Sequence, residues 1–500
     1  MTDPGYVLGI DIGTSGVKVL AVDPTGQMVA RGSATLQKPT SIGLGREQDA
    51  SHWWAATATA MEEALYDLND AGRRTDDIAA IAVDATSGTV VPVDQDMTPL
   101  HNGLMYNDGR AFAQAEALNI AGADVVARLG YRLNASFAAA KILWFSQTQP
   151  GIAERTSWYL HQSDVITSRL LETNHPFSDE SNTLKTGYDI IERQWPAYLA
   201  KAGIDIGALP EVRPIAATLG TVGLSIASQF GLSSKCRIVA GMSDGTAACA
   251  ASGAQHIGDR NTTLGTTIVW KMISGTVVHD PQGRLYAHRH PGGGFIPGGA
   301  GNAGGDGIRS MVEAVQVGAG QRLDELAAEL DGQASSADLT YPAPARGERF
   351  PFVDAAFEPF TTCDGTDAQE QYLSALEGAG FIERWGYEVA RDLGAECNGT
   401  VWTTGSGALV DPWMQIRADI LGAQVCRAAV PESGFGSALV AAMNVWYDGD
   451  WTSAADAMIR KDRSFEPNIA RQGHYSERYE MFREECARRL EKKPGQSKND

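Results

Sequence analysis

The chain opens with three extended runs, Tyr6 to Ile12, Val17 to Val22 and Gln27 to Thr35, separated by GTSG and DPTG. Short clusters of Gly, Pro, Asp and Ser favour turns, so the pattern predicts a β-meander. Next, Trp54, Ala58, Met61, Leu65 and Leu68 recur at steps of four, three, four and three, the period of a helix with one apolar face, with Ser51 as its expected cap. A nearly unbroken apolar run, Ile78 to Val83, then ends at Asp84, which predicts a buried, parallel strand.

A similar opening recurs beyond the middle. NTTLGTTIVWKMI, residues 261–273, again sets a Gly/Thr turn between an extended run and an apolar strand. Before it, Arg237 to Ala240 predicts a short strand running into GMSDGTAACAASGA and a helix. After it, Val401 to Thr404 leads into GSGA, and Asp411 as N-cap with Pro412 at the first helical position starts a helix carrying Trp413, Ile416 and Ile420. Two strand–turn–strand units predict a duplicated α/β architecture with a cleft between the copies. The boundary is expected near residues 250–260, and the final KKPGQSKND reads as a disordered tail.

Composition narrows the function. At 500 residues the chain is long enough for two large domains, and its 55 glycines exceed the usual ~7%, which suits many tight turns and close ligand approaches. A net charge of −20 without long Lys/Arg runs excludes a broad nucleic-acid footprint. No signal-peptide pattern and no 18-residue uncharged apolar run occurs, so the expectation is a cytoplasmic protein without a membrane span. Six scattered cysteines without a CxxC pair suit reduced thiols better than disulfides or zinc.

The glycine turns lack both the GxxxxGK[ST] of a P-loop and the GxGxxG of a dinucleotide fold. GTSG read alone is a hairpin turn. Asp11 at the end of the preceding strand, the backbone N–H groups of the turn and the second turn LGTT together also suit a phosphate grip. Asp244 lies between a buried strand and a helix, where it can act as an N-cap or as a general base. Gly405, Ser406 and Gly407 allow close approach of a planar ring or ribose, and equally a simple strand-to-helix turn. Asn107, Asp108 and Arg110 form either a solvated loop or a polyol site, and His288 and His290 lack metal-ligand spacing.

Taken in order, GIDIGTSGVKVL, REQDASHWW, YNDGRA, SFAAAKILWF, GMSDGTAA, NTTLGTT, ALEGAGF, TTGSGA and ESGFGSALVAA resemble the FGGY family of carbohydrate kinases, in the actin-like ATPase superfamily, over nearly the whole chain. The resemblance implies two actin-like (ribonuclease H-like) domains with an interdomain cleft: residues 1–254 for sugar and phosphate, residues 255–490 for ATP, and a tail at 491–500. It implies that Gly13, Thr14 and Ser15, with Gly265, Thr266 and Thr267, hold the ATP phosphates. By the same likeness Asp11 serves Mg²⁺ through water, Asp244 is the catalytic base, and Gly405, Ser406 and Gly407 receive adenosine.

Within the family the pattern is similar to xylulokinase-like and D-ribulokinase-like members, YNDGR resembling the xylulokinase WNDGR. DATSGTVV replaces the xylulokinase QMHG and puts Thr86 and Ser87 at the sugar, with Asn107 and Asp108 beside them. ATSGTVV and SDESNTLKTGYD look more like a ribulokinase-type branch; Ala138, and the lack of a glycine in VDAAFEPF, are further departures.

The expected reaction is transfer of the γ-phosphate of ATP to the C5 hydroxyl of D-xylulose or D-ribulose, with ribitol, glycerol and L-ribulose as alternatives. The other reading is a non-catalytic actin-like ATP-binding protein. Expected ligands are ATP, Mg²⁺ and a small sugar, and a homodimer is allowed.

Overall fold

A computed structural model describes residues 5–315, 323–330, 335–364 and 367–491 of the chain. The expected tail, apart from Glu491, lies outside the described residues. In chain order, β1 (Tyr6–Ile12), β2 (Gly16–Val22) and β3 (Met28–Thr35) precede α1 (Ser51–Asp70) and β4 (Ile78–Ala85). An excursion containing α2 (Ala138–Thr148) and α3 (Gln162–Leu171) returns through β5 (Thr218–Thr221) and β6 (Arg237–Ser243) into α4 (Asp244–Ser252). Then come β7 (Arg260–Leu264), β8 (Ile268–Met272), β9 (Phe295–Ala300), α5 (Gly305–Val315) and α6 (Ala368–Asp392). β10 (Val401–Thr404), α7 (Asp411–Leu421), β11 (Val425–Ala428), α8 (Ser433–Trp446) and β12 (Lys461–Phe465) complete the set used below.

The chain divides into two units: Met1–Ala251, His288–Gly294 and Val430–Arg460 in the first, and Ser252–Ala287, Phe295–Ala429 and Lys461–Asp500 in the second. A single cut at residue 254 therefore differs from the folded division, in which two later segments rejoin the first unit. The first sheet runs β5-β6-β4-β1-β2-β3, and the second contains the neighbouring order β12-β11-β10-β7-β8-β9. In each, an antiparallel meander is followed by two parallel strands and an antiparallel edge strand. The duplication read from the two Gly/Thr turns thus holds for six strands of each sheet, a seventh strand, Tyr286–Arg289, extending the second.

Strand β1 shows why its sequence is apolar on both faces up to Asp11. Tyr6, Leu8, Ile10 and Ile12 join the core that includes the buried face of α1, while Val7 joins the core formed with α4 and α8. Side chains alternate across a strand, so a strand covered on both faces must be apolar at both phases. Gly9 points toward α8, where a Cβ would overlap the carbonyl oxygen of Gly434. That contact brings α8 onto the sheet and lets a late segment complete the first unit.

Two helix starts differ from the sequence expectation. Ser51 is the first residue of α1 with Ala50 in the cap position, and both the amide and the hydroxyl of Ser51 donate to Asp49 Oδ1, at 2.9 and 2.6 Å. Likewise Asp411 is the first residue of α7 behind Val410, and its carboxylate pairs with Arg427 at 3.1 Å and with Arg463. In both cases a stronger local partner takes the group that would cap. The apolar face of α1 is also turned slightly: Trp53, Ala56 and Ala60 are buried, while Trp54 and Ala58 are only partly covered.

Candidate active site

In the first unit, β1, β4 and β6 run parallel and end together. The carboxyl ends of parallel strands are where open α/β sheets collect ligands. Asp11 lies opposite Asp84 in the ladder, Met242 lies opposite Asp84 on its other side, and Asp244 begins α4 directly after β6. Three carboxylates thus converge at one sheet end. Asp244 is the first residue of α4 and not its cap, and its Oδ1 accepts from the next amide, Gly245 N, at 2.6 Å.

Burial, reinforced by the charge of Asp244, pushes the Asp11 carboxyl up to about 6. Asp84 is fully buried, and burial together with the charge of Asp11 raises its carboxyl well above the ordinary range. Ser437 Oγ, delivered by α8, donates to Asp84 Oδ2 at 2.6 Å, while Asp84 Oδ1 meets no donor among the described residues. Two carboxyls in this position need a shared proton or a cation. No three His, Cys, Asp or Glu side chains form a closed metal cage among the described residues. Carboxylate oxygens, one of them without a donor, are a donor set that suits a hard cation completed by waters and phosphate oxygens. Asp84 was absent from the sequence-based site, although its place at the end of an apolar run was the available signal.

The first glycine turn closes through Gly13 N to Gly16 O at 2.9 Å and sets Asp11 across the hairpin from Lys18. Asp11, Gly13 and Ser15 border an open cavity of about 870 Å³, whereas the carbonyl of Thr14 accepts from Gln48 Nε2 at 3.0 Å.

The four expected sugar residues separate into roles. Thr86 Oγ1 is buried against Thr89 Oγ1 at 2.6 Å and donates to Gln162 Oε1 at 3.0 Å. Ser87 Oγ is buried with no partner among the described residues, as is Gln162 Nε2. Asn107 is exposed. Asp108 is buried and holds its own loop, accepting from Arg46 N at 2.7 Å and from Arg110 Nε at 3.0 Å. The two segments meet where Val90 and Leu104 exchange backbone hydrogen bonds, at 3.1 and 2.9 Å. His288 lies in neither a metal cluster nor a loop: its Nδ1 approaches Ser181 Oγ at 3.3 Å, and Ser181 Oγ also contacts Ser243 Oγ and Thr246 Oγ1, each at 3.0 Å. This hydroxyl cluster braces the strand-to-helix turn that carries Asp244.

In the second unit, Gly265, Thr266, Ser406 and Gly407 line one cavity of about 280 Å³ with Tyr372, Leu376 and Trp413. Thr267 and Gly405 do not line it. Gly405 has φ +85°, and a Cβ there would overlap the carbonyl oxygen of Leu264, so only glycine suits it. The amides of Gly305 and Asp306 at the start of α5 donate to the carbonyls of Gly265 and Thr266, at 2.9 and 3.1 Å. Asp306 and Arg309 also border the cavity and were not evident from the motif pattern. An apolar slot with glycine turns at its rim suits a planar ring with phosphates attached.

Comparison with known proteins agrees with this geometry. Residues 6–251 match the N-terminal domain model of the FGGY family of carbohydrate kinases, and residues 261–445 match its C-terminal domain model. A xylulose kinase of Staphylococcus epidermidis is 27% identical over 499 residues, covering 95% of each chain. Among solved structures, one described as a xyloylose kinase from Brucella ovis superposes with a TM-score of 0.85 at 23% identity, covering 96% of this chain and 98% of that one. A gluconate kinase from Lactobacillus acidophilus reaches 0.84 at 18% identity, covering 97% and 98%. With both domain models matched in order, the chain belongs to the FGGY family of carbohydrate kinases and is an ATP-dependent sugar kinase built from two actin-like, ribonuclease H-like domains.

Proposed function

We propose that this enzyme phosphorylates the C5 hydroxyl of a ketopentose, D-xylulose first. The observation that carries the reading is the set of three carboxylates, Asp11, Asp84 and Asp244, at the end of the first sheet. Asp244 accepts the proton of the acceptor hydroxyl as its oxygen attacks the γ-phosphorus and ADP departs. Phosphoryl transfer needs little covalent help from protein, so placing the hydroxyl and neutralising charge account for most of the rate. Asp11 and Asp84 would hold Mg²⁺, which supplies charge neutralisation for the phosphate oxygens. The backbone of Gly13 to Ser15 and of Gly265 to Thr267 would meet phosphate, and the slot beside Ser406 and Gly407 would take adenosine.

Support for xylulose comes from the xylulose kinase relative and from YNDGR. One observation favours D-ribulose as the second reading: Thr86 and Ser87 stand where xylulokinases carry Met and His. In this reading the enzyme works in the cytoplasm, where ATP and reduced thiols coexist; all six cysteines are free. Among the described residues no helix is long and apolar enough to cross a membrane. A homodimer is part of the reading that sedimentation of the full chain checks.

The test is ADP release coupled to a panel of ketopentoses, aldopentoses, pentitols, glycerol and ketohexoses. D-xylulose should give the highest kcat/KM, and Asp244→Asn should lower it by about 10² or more, a typical contribution of a positioned base. A clear preference for glycerol or a hexose defeats the substrate assignment, and undiminished turnover in Asp244→Asn defeats the base assignment.

A further inference from the structure

Lys141 in the first turns of α2 is fully buried, yet its three ammonium donors each meet a backbone carbonyl: Met105 O at 2.6 Å, Gly88 O at 2.9 Å and Ser136 O at 3.0 Å. Much opposes a charge here. Burial removes its water, Lys185 and Arg110 lie near enough to repel it, and a cation near a helix N-terminus opposes the helix dipole; Asp108 is the nearby compensating charge. An apolar side chain of similar volume fills such a space at lower cost. What the ammonium adds is register, since three carbonyls from three loops are fixed to one point.

Those loops are the ones that carry the acceptor-side residues. Gly88 follows Thr86 and Ser87, Met105 precedes Asn107 and Asp108, and Ser136 leads into α2. Lys185 Nζ donates to the carbonyl of Ser87 at 3.1 Å, so successive carbonyls, at Ser87 and Gly88, are each gripped by a lysine. The side-chain Oγ of Ser87, one of these two clamped residues, is buried and without a partner among the described residues. Gly88 has φ +93°, and a Cβ there would come within 2.7 Å of Ser136 O, so the loop has little freedom to settle elsewhere. An unpartnered hydroxyl on a clamped loop is prepared for a ligand hydroxyl.

We propose that Lys141 is a positioning residue for the acceptor, fixing loops 86–90 and 105–108 so that Ser87 Oγ is held for hydrogen bonding to a sugar hydroxyl. The inference rests on the sugar-kinase reading, in which Ser87 already stands at the sugar, and adds to it the residue that fixes the loop carrying Ser87. Lys141 itself need not touch substrate.

The test measures acceptor KM, ATP KM, kcat and sugar-independent ATP hydrolysis for the full chain carrying Lys141→Met, Lys141→Arg or Ser87→Ala. Lys141→Met should raise acceptor KM about tenfold or more while ATP KM and sugar-independent hydrolysis stay within about twofold, with Lys141→Arg restoring part of the loss. A purely structural lysine would instead lower active enzyme and leave both KM values in place, which overturns the proposal. Ser87→Ala keeps the inference falsifiable even where Lys141→Met does not fold: it should raise acceptor KM, and an unchanged value overturns the proposal. Absence of sugar-dependent turnover in the unmodified enzyme would defeat the kinase reading itself, a different result from normal turnover with unmoved acceptor KM in the variants.

Discussion

Asp11 and Asp84 are direct partners in the parallel ladder between β1 and β4, one half-buried and the other fully buried. Burial raises the cost of ionising both, and the charge of Asp11 adds to that cost at Asp84. Such an arrangement weakens the isolated fold and is useful only when a cation or a proton joins the pair.

Asp84→Asn should therefore separate stability from activity. The amide keeps an acceptor for Ser437 and removes one buried ionisable group, so the thermal midpoint should stay level or rise. Sugar-dependent kcat should fall by about 10², the scale of losing an electrostatic partner at a reacting phosphate. Lower stability with intact kcat would make Asp84 structural.

Gly407→Ala should act on the nucleotide alone. A Cβ at this position comes within 2.5 Å of the Trp413 ring and 2.8 Å of Leu264 Cβ, and Trp413 lines the same cavity. The ring must shift into the slot, so ATP KM should rise about tenfold with acceptor KM unchanged, as expected for loss of uniform ground-state binding. An acceptor effect of equal size would remove the adenosine assignment.

Arg417→Met tests the core of the second unit. Arg417 is fully buried and donates to both oxygens of Glu383, at 2.6 and 2.7 Å, and to Thr403 Oγ1 at 2.9 Å. Removing one partner strands the Glu383 charge, at a cost of about 3–5 kcal/mol. Glu383→Gln combined with Arg417→Met should recover part of that loss in urea unfolding; simple additivity would contradict a paired role.

Acid should erode the contribution of His161. Its ring is buried between Thr89 O at 3.0 Å and Thr186 Oγ1 at 2.8 Å, and burial lowers it to about 4. Between that value and the free value near 6.5, the unfolded chain binds more protons than the folded one, so stability rises with pH through this window and falls on acidification. Buried carboxyls such as Asp11 act with the opposite sign, so the measurement is a difference: the stability advantage of the native chain over His161→Gln should shrink by about 3 kcal/mol from pH 7 to pH 4. A constant difference would mean that His161 is not kept neutral by the fold.

Local chemistry made much of the molecule legible. The apolar runs and Gly/Thr turns located β1, β2, β7 and β8, because a hairpin is closed by neighbours in sequence. Asp244 was visible as an acid between a buried strand and a helix of small residues. Ser51 and Asp411 were misplaced as caps because Asp49, Arg427 and Arg463 compete for the same groups, and only folded proximity ranks such competitors.

The sequence by itself determined the duplicated strand–turn–strand units, the two glycine turns and the base candidate, since each depends on spacing over a few residues. The tertiary structure decided what depends on contacts between distant segments. It paired Asp84 with Asp11 through parallel register, brought Ser437 to Asp84 through the close approach of Gly9 and Gly434, and assigned Asp108 to its own loop. It also gathered three carbonyls on Lys141, a residue that reads in sequence as one cation in a helix and becomes, once buried, the point on which those three segments meet.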